Sequence, residues 1–212
     1  MKIKQFTFNL LKENCYVAFD EDTHDCAIID PGCYYPEEKE KLSSFLKNEN
    51  LVPDKILLTH GHLDHLFGAQ YLTEEFPLAK VYAHRNDQGF IDHVAEQGRM
   101  FGIDIEHTAP ISHYIVDGEV ISIGKTKLHV ICTPGHSPGG VCYYCEEKSV
   151  LFSGDTIFLE SVGRTDLFGG SDEILINSLH TKIFTLPGDT TIYPGHGPAT
   201  SVGYEKHSNP YI

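Results

Sequence analysis

The run Thr59-His60-Gly61-His62-Leu63-Asp64-His65 holds four metal-ligating side chains within six positions. In an extended turn, residues at i and i+2 point to the same side, so His60 and His62 can share one ion. Asp64 and His65, at the start of an ensuing helix, can face a second. Three further residues complete the set: His136 in Thr133-Pro134-Gly135-His136, Asp155 in Ser153-Gly154-Asp155, and His196 in Pro194-Gly195-His196. With His60, His62 and His136 on one ion and Asp64, His65 and His196 on the other, Asp155 remains as a carboxylate able to bridge them. Neither ion is then closed in the manner of a structural site, and both keep room for water.

The chemistry that follows is hydrolysis. Two divalent ions about 3.5–4 Å apart can share a hydroxide and bring the pKa of its parent water towards 7. That hydroxide attacks an electrophilic carbonyl or phosphorus, and the ions stabilise the oxyanion. Asp64 can hold or receive a proton, so Asp64 and Asp155 are the candidate catalytic carboxylates. Zinc is the expected metal; iron and manganese accept the same ligand types.

These residues share a position in the chain pattern. Short apolar strands run directly into Pro/Gly-rich turns that end in a ligand: Ile56-Leu57-Leu58 into Thr59-His60, His129–Cys132 into His136, Val150–Ser153 into Asp155, Thr191–Pro194 into His196. Such strand ends, gathered on one rim, place loop residues on a rigid scaffold. Upstream, IKQFTFN and CYVAFD flank Lys12-Glu13-Asn14 like a hairpin, and CAIID closes at Pro31-Gly32. Pro36 opens a helix with Glu37 and Glu38 in its first turn and Leu42, Phe45 and Leu46 on its apolar face. Helices are expected over Leu66–Phe76 and Asp87–Gln97, and one capped by Ser171. KVYA, VISI, KLHVIC, GVCYYC and SVLFS read as strands. Strands with intervening helices in both halves imply two sheets covered by helices.

A length of 212 residues predicts one domain over 1–212. With 16 Lys plus Arg against 30 Asp plus Glu, the net charge is −14, which disfavours nucleic acid and anionic membrane surfaces as partners. No apolar run approaches the roughly 20 residues of a spanning helix. The N-terminus lacks the apolar core of a signal peptide, so a cytoplasmic protein with free thiols is expected. Cys142 and Cys145 form a Cys-x-x-Cys inside a strand-like run and read as buried thiols rather than a redox pair. Of 13 histidines, the eight outside the ligand set lack ligand spacing.

Taken together, THGHLDH, TPGHSPGG, FSGDTIF, GRTDLFGG and YPGHGP resemble the metallo-β-lactamase superfamily, and specifically its small glyoxalase II-like hydrolases. The resemblance spans nearly the whole chain. It implies an α/β fold, an αβ/βα four-layer sandwich of two mostly antiparallel or mixed sheets with helices outside, and a dinuclear site at the edge between the sheets. It assigns the same ligand roles to the same positions. The expected activity is thioester hydrolysis of the hydroxyacyl-glutathione type, on a small acyl-thioester substrate. Glyoxalase II proper is similar but carries a C-terminal helical substrate domain, and it continues its last motif with a Tyr where this chain has His196-Gly197-Pro198; such a domain is not expected here. Arg164, in Gly163-Arg164, is a candidate to pair with a substrate carboxylate, the alternative being an ion pair with Asp166.

Persulfide dioxygenases also resemble this sequence, and they would hold a single iron with His60, His136 and Asp155. A phosphodiesterase or nuclease would use the same two-metal chemistry but needs a basic surface. True β-lactamases generally carry Cys or Ser where Asp155 stands.

Overall fold

The computed structural model describes residues 1–212. Six strands form the first sheet in sequence order: β1 (Lys2–Phe8), β2 (Glu13–Phe19), β3 (Asp25–Ile29), β4 (Val52–Leu57), β5 (Lys80–His84) and β6 (His113–Ile115). β1 to β3 pair antiparallel, and β3 to β6 pair parallel. Parallel neighbours need crossovers, and helices supply most of them. α1 (Pro36–Asn48) links β3 to β4, and α2 (Ala69–Glu75) links β4 to β5. α3 (Gln88–Asp92) and α4 (Val94–Phe101) precede β6.

The second sheet begins with β7 (Val120–Ile123), β8 (Thr126–Cys132), β9 (Val141–Cys145) and β10 (Val150–Gly154). A two-stranded hairpin, β11 (Ile157–Phe158) with β12 (Ser161–Val162), follows it. After α5 (Asp172–Thr181) the chain returns as β13 (Thr191–Pro194) and β14 (Thr200–Ser201), then ends in α6 (Val202–Ser208). The order is β14-β13-β10-β9-β8-β7, and β10 with β13 is its one parallel pair.

Strand alternation builds the layers. In β2, Val17 joins the apolar cluster under α1 and α2, while Tyr16 and Ala18 face the second sheet. In β9 and β10, Cys142 and Leu151 pack with Leu175 and Leu179 of α5, while Val141, Tyr143 and Phe152 face the first sheet. A period of two therefore sends each strand's side chains to two different cores. The result is helix, sheet, sheet, helix, as the pattern predicts.

Two local expectations are corrected. The helix expected over Leu66–Phe76 begins only at Ala69; a short 3₁₀ turn over Leu63–His65 precedes it, so Asp64 and His65 sit in that turn and not at the helix start. The helix expected over Asp87–Gln97 is broken at His93 and runs on to Phe101, where Gly102 stops it at φ +68°. α6 and the short strands β6, β11, β12 and β14 fall in segments with no strong periodicity. All six cysteines are free, with Cys142 and Cys145 buried in β9. No helix is long and apolar enough to cross a membrane.

Candidate metal centre

β8 and β9 are antiparallel, as are β9 and β10, and β10 is parallel to β13. β8, β10 and β13 therefore point the same way, and their C-terminal ends deliver His136, Asp155 and His196 to one rim. β3 and β4, parallel in the other sheet, deliver Asp30 and the Thr59–His65 loop. Backbone bonds lace the rims together: Val141 N–H donates to Thr59 C=O at 2.8 Å, and Asn14 N–H to Gly195 C=O at 2.7 Å.

Three groups of ligand atoms form where the rims meet: one is Asp30, His60 and His65, and the other two belong to the expected set. In His60, His62 and His136 they lie within 4.8 Å of one another, and so do those of Asp64, His65 and His196. Nδ1 of His62 is 2.9 Å from Nε2 of His136, which is 3.2 Å from Nε2 of His60. Asp155 reaches both groups: one oxygen is 3.4 Å from His65 Nε2, and the other is 3.6 Å from His136 Nε2 and 3.7 Å from His196 Nε2. Asp64 Oδ2 is 3.2 Å from His196 Nε2. All seven residues of the expected set are thus brought together, and all but His196 and Asp155 are buried as whole residues.

The outward nitrogens fix how the rings face. His136 Nδ1–H donates to Arg164 C=O at 2.7 Å, and His196 Nδ1–H to Leu11 C=O at 3.1 Å. His65 Nδ1–H donates to Asp30 Oδ2 at 3.0 Å. The Thr59 hydroxyl donates to that same oxygen at 2.6 Å, so its own oxygen accepts from His60 Nδ1–H at 3.0 Å. Carbonyls and carboxylates only accept, so in each neutral ring the Nε2 lone pair turns into the cluster. Holding the far nitrogen in this way sets tautomer and orientation in metal sites.

The electrostatics divide along the same line. Burial pushes the His60 imidazolium well below its usual range, and charge on His65, His62 and His136 would push the same way. Burial, with His136 next, lowers His62 to about 3. Burial also opposes charge on His65, but Asp64, Asp155 and Asp30 outweigh it and raise its pKa well above normal. Burial would lift the Asp155 carboxyl, yet His65 and the other imidazoles hold it below the usual range.

These residues fit divalent cations. His65 Nε2 and Asp155 Oδ1 are buried with no hydrogen-bond partner, and the Nε2 lone pairs of His60 and His136 face each other at 3.2 Å. Such atoms cost free energy unless something binds them. Gly195 shapes the same space, because a Cβ there would lie 2.3 Å from Asp155 Oδ1 and 2.7 Å from His65 Cε1.

The family model of the metallo-beta-lactamase superfamily matches residues 9–196. The chain belongs to this superfamily. It is 36% identical to the probable metallo-hydrolase YqgX of Bacillus subtilis, over 100% of this chain and 98% of that protein. It is 34% identical to the hydroxyacylglutathione hydrolase GloC of Haemophilus influenzae, over the same shares. Among solved structures, the BLEG-1 B3 metallo-beta-lactamase superposes with a TM-score of 0.90 at 37% identity, covering 99% of both chains. TTHA1623 in a di-iron-bound form gives 0.87 at 35%, covering 99% of this chain and 100% of that one. ETHE1 from Myxococcus xanthus gives 0.82 at 26%, with 99% and 84% covered.

Within this superfamily scaffold, two residues do work that sequence reading missed. Asp30 holds Thr59 and His65 as described, and its backbone sits at φ +49°. Its signal was present: it follows an apolar strand and opens a Pro-Gly turn, the same pattern that marks the ligand loops. Asp87 is fully buried and accepts from Gly61 N–H at 2.8 Å, the Ser137 hydroxyl at 2.7 Å and Gly139 N–H at 2.6 Å. It ties the loop of His60 and His62 to the loop of His136. Burial raises its pKa against those three bonds. Gly135–Gly139 also has the spacing of a serine-nucleophile elbow, but Ser137 is fully buried and its hydroxyl is occupied by Asp87. Arg164 lines the cavity over the cluster, with its guanidinium forked on Asp166 at 2.7 and 2.8 Å.

Proposed function

We propose that the protein is a metal-dependent hydrolase acting on acyl thioesters, of the hydroxyacyl-glutathione type or a related acyl thiol. The observation that carries this reading is the convergence of seven His and Asp side chains, unpartnered atoms among them, five of which line the floor of an open cavity. The similarity to GloC supports the thioester class.

His60, His62 and His136 would hold one ion, Asp64, His65 and His196 a second, with Asp155 serving both; zinc is the proposed metal, iron or manganese the alternatives. When bound, the ions supply a Lewis acid and a water acidic enough to attack near neutral pH. The chain's own groups do the rest. The cavity, with His62 and His136 in its lining, would admit the thioester. Asp64 lines the same floor and can hold the proton shed by the attacking water. Asp30, Leu11 and Arg164, through a carboxylate and two carbonyls, keep His65, His196 and His136 from rotating.

The test is metal analysis of the protein as isolated, paired with assays of thioester hydrolysis and of sulfide-linked oxygen uptake. Two ions per chain with thioester turnover are expected. One iron per chain with persulfide-dependent oxygen uptake would carry the dioxygenase reading instead. A β-lactam in the same panel tests the activity in the name of BLEG-1.

A further inference from the structure

Above the cluster opens a cavity of about 330 Å³, walled by Leu11, Leu63, Phe90, Met100, Phe101 and Phe168. Four of these side chains stay exposed at the mouth, Met100 to 77% and Phe168 to 86%. The ring of Phe90 stands edge-on to His62 at 5.1 Å and to Phe168 at 6.1 Å, forming an aromatic wall that runs from the floor outward. A contiguous apolar surface left open beside polar atoms is the form a ligand site takes.

The polar groups on these walls are already engaged. Gln97 uses its amide N–H groups on Gly61 C=O and Phe90 C=O, at 3.2 and 2.8 Å. Arg164 is the one Lys or Arg lining the cavity, and Asp166 neutralises it in a two-pronged ion pair. Remote carboxylates of a substrate would find no unpaired side-chain cation here, in a chain of net charge −14.

We propose that the cavity receives an apolar acyl group, an aliphatic or arylalkyl chain lying along Phe90 and Phe168, and that the thiol half is not selected by its charge. The proposal rests on the thioester-hydrolase reading and names its substrate class. In the reaction, water oxygen bonds to the acyl carbon and the C–S bond breaks. The sulfur leaves with its electron pair and takes a proton, giving a free thiol and a carboxylic acid, with no redox change.

Full burial of a methylene corresponds to about a fourfold gain in kcat/KM. The test measures kcat/KM of the metal-loaded protein on acetyl, butanoyl and hexanoyl thioesters of N-acetylcysteamine, with a hydroxyacyl-glutathione alongside. The expected result is a rise of at least about tenfold from acetyl to hexanoyl, allowing for partly open walls. Hexanoyl should also exceed the hydroxyacyl-glutathione. Phe168→Ala and Met100→Ala should each flatten the chain-length dependence, and Arg164→Ala should shift KM equally for the charged and the neutral thioester. Turnover that is flat in chain length, or best on the hydroxyacyl-glutathione, would overturn the proposal and leave the thioester reading standing. No turnover of any thioester would overturn both.

Discussion

Nδ1 of His65 lies 3.0 Å from Oδ2 of Asp30, and the same oxygen accepts the Thr59 hydroxyl at 2.6 Å. One carboxylate from the end of β3 thereby orients a ring from each of the two ligand groups, His65 directly and His60 through Thr59. Asp30→Asn isolates this role, because Asn tolerates the positive φ that Asp30 adopts. Loss of such an outer hydrogen bond typically costs about 10–100-fold in metal affinity or activity. The expected outcome is a loss of that size in chelator competition, with the circular dichroism spectrum unchanged. Metal affinity equal to that of the unmodified protein would remove Asp30 from the site.

Asp155 makes a different prediction, because its carboxylate lies between the two ligand groups, Oδ1 near His65 and Oδ2 near both His136 and His196. Asp155→Ala removes the negative charge between two cations that would otherwise repel each other. Loss of at least one metal per chain and of nearly all hydrolysis is expected, measured by metal analysis and steady-state kinetics. The three apolar clusters lie away from this position, so the thermal transition of the metal-free protein should persist.

Much of this arrangement is legible in the sequence, and the reason is local. His60, His62, Asp64 and His65 announce themselves by spacing, and His136, Asp155 and His196 by lying just past apolar strands. The central strands β2, β9 and β10 read as near-continuous apolar runs because each is buried on both faces between two cores. What stays hidden is long-range. Nothing near Asp87 in sequence shows that it will meet Gly61, Ser137 and Gly139, up to 52 positions away. The start of α2 is hidden because Leu66 and Phe67 continue an apolar pattern while the backbone is still turning to present Asp64 and His65. The break at His93 has no sequence signal that we identify.

Asp87 carries the third prediction. Asp87→Ala leaves two backbone N–H groups and one hydroxyl unsatisfied in a buried place. An orphaned buried donor costs about 1–3 kcal/mol, so a loss of roughly 3 kcal/mol or more is expected in denaturant unfolding. The two loops it joins carry His62 and His136, so metal affinity should fall as well. Asp87→Asn keeps one acceptor oxygen and should recover part of both losses. A variant with unchanged stability would show that water replaces the carboxylate.

Glu13, at the start of β2, is fully buried, and neither of its oxygens has a hydrogen-bond partner. Burial raises its pKa well above 4.5; His65 opposes this, while Asp30, Asp64 and Asp155 add to it. The folded state therefore keeps the proton at pH values where the unfolded chain has released it. More protons bound in the folded state mean that stability falls as pH rises, from the unfolded pKa up to the folded one. A single such group contributes a slope of about 1.4 kcal/mol per pH unit in that window. Glu13→Gln preserves shape and removes the titration. Between the stability curves of the wild type and the variant, the difference should be small near pH 4 and grow in favour of Gln towards neutrality, read from denaturant midpoints at each pH. The difference reads the titration of residue 13 together with its coupling to His65, Asp30, Asp64 and Asp155. A constant offset across the range would mean that Glu13 is charged in the fold, and that an unseen partner holds it there.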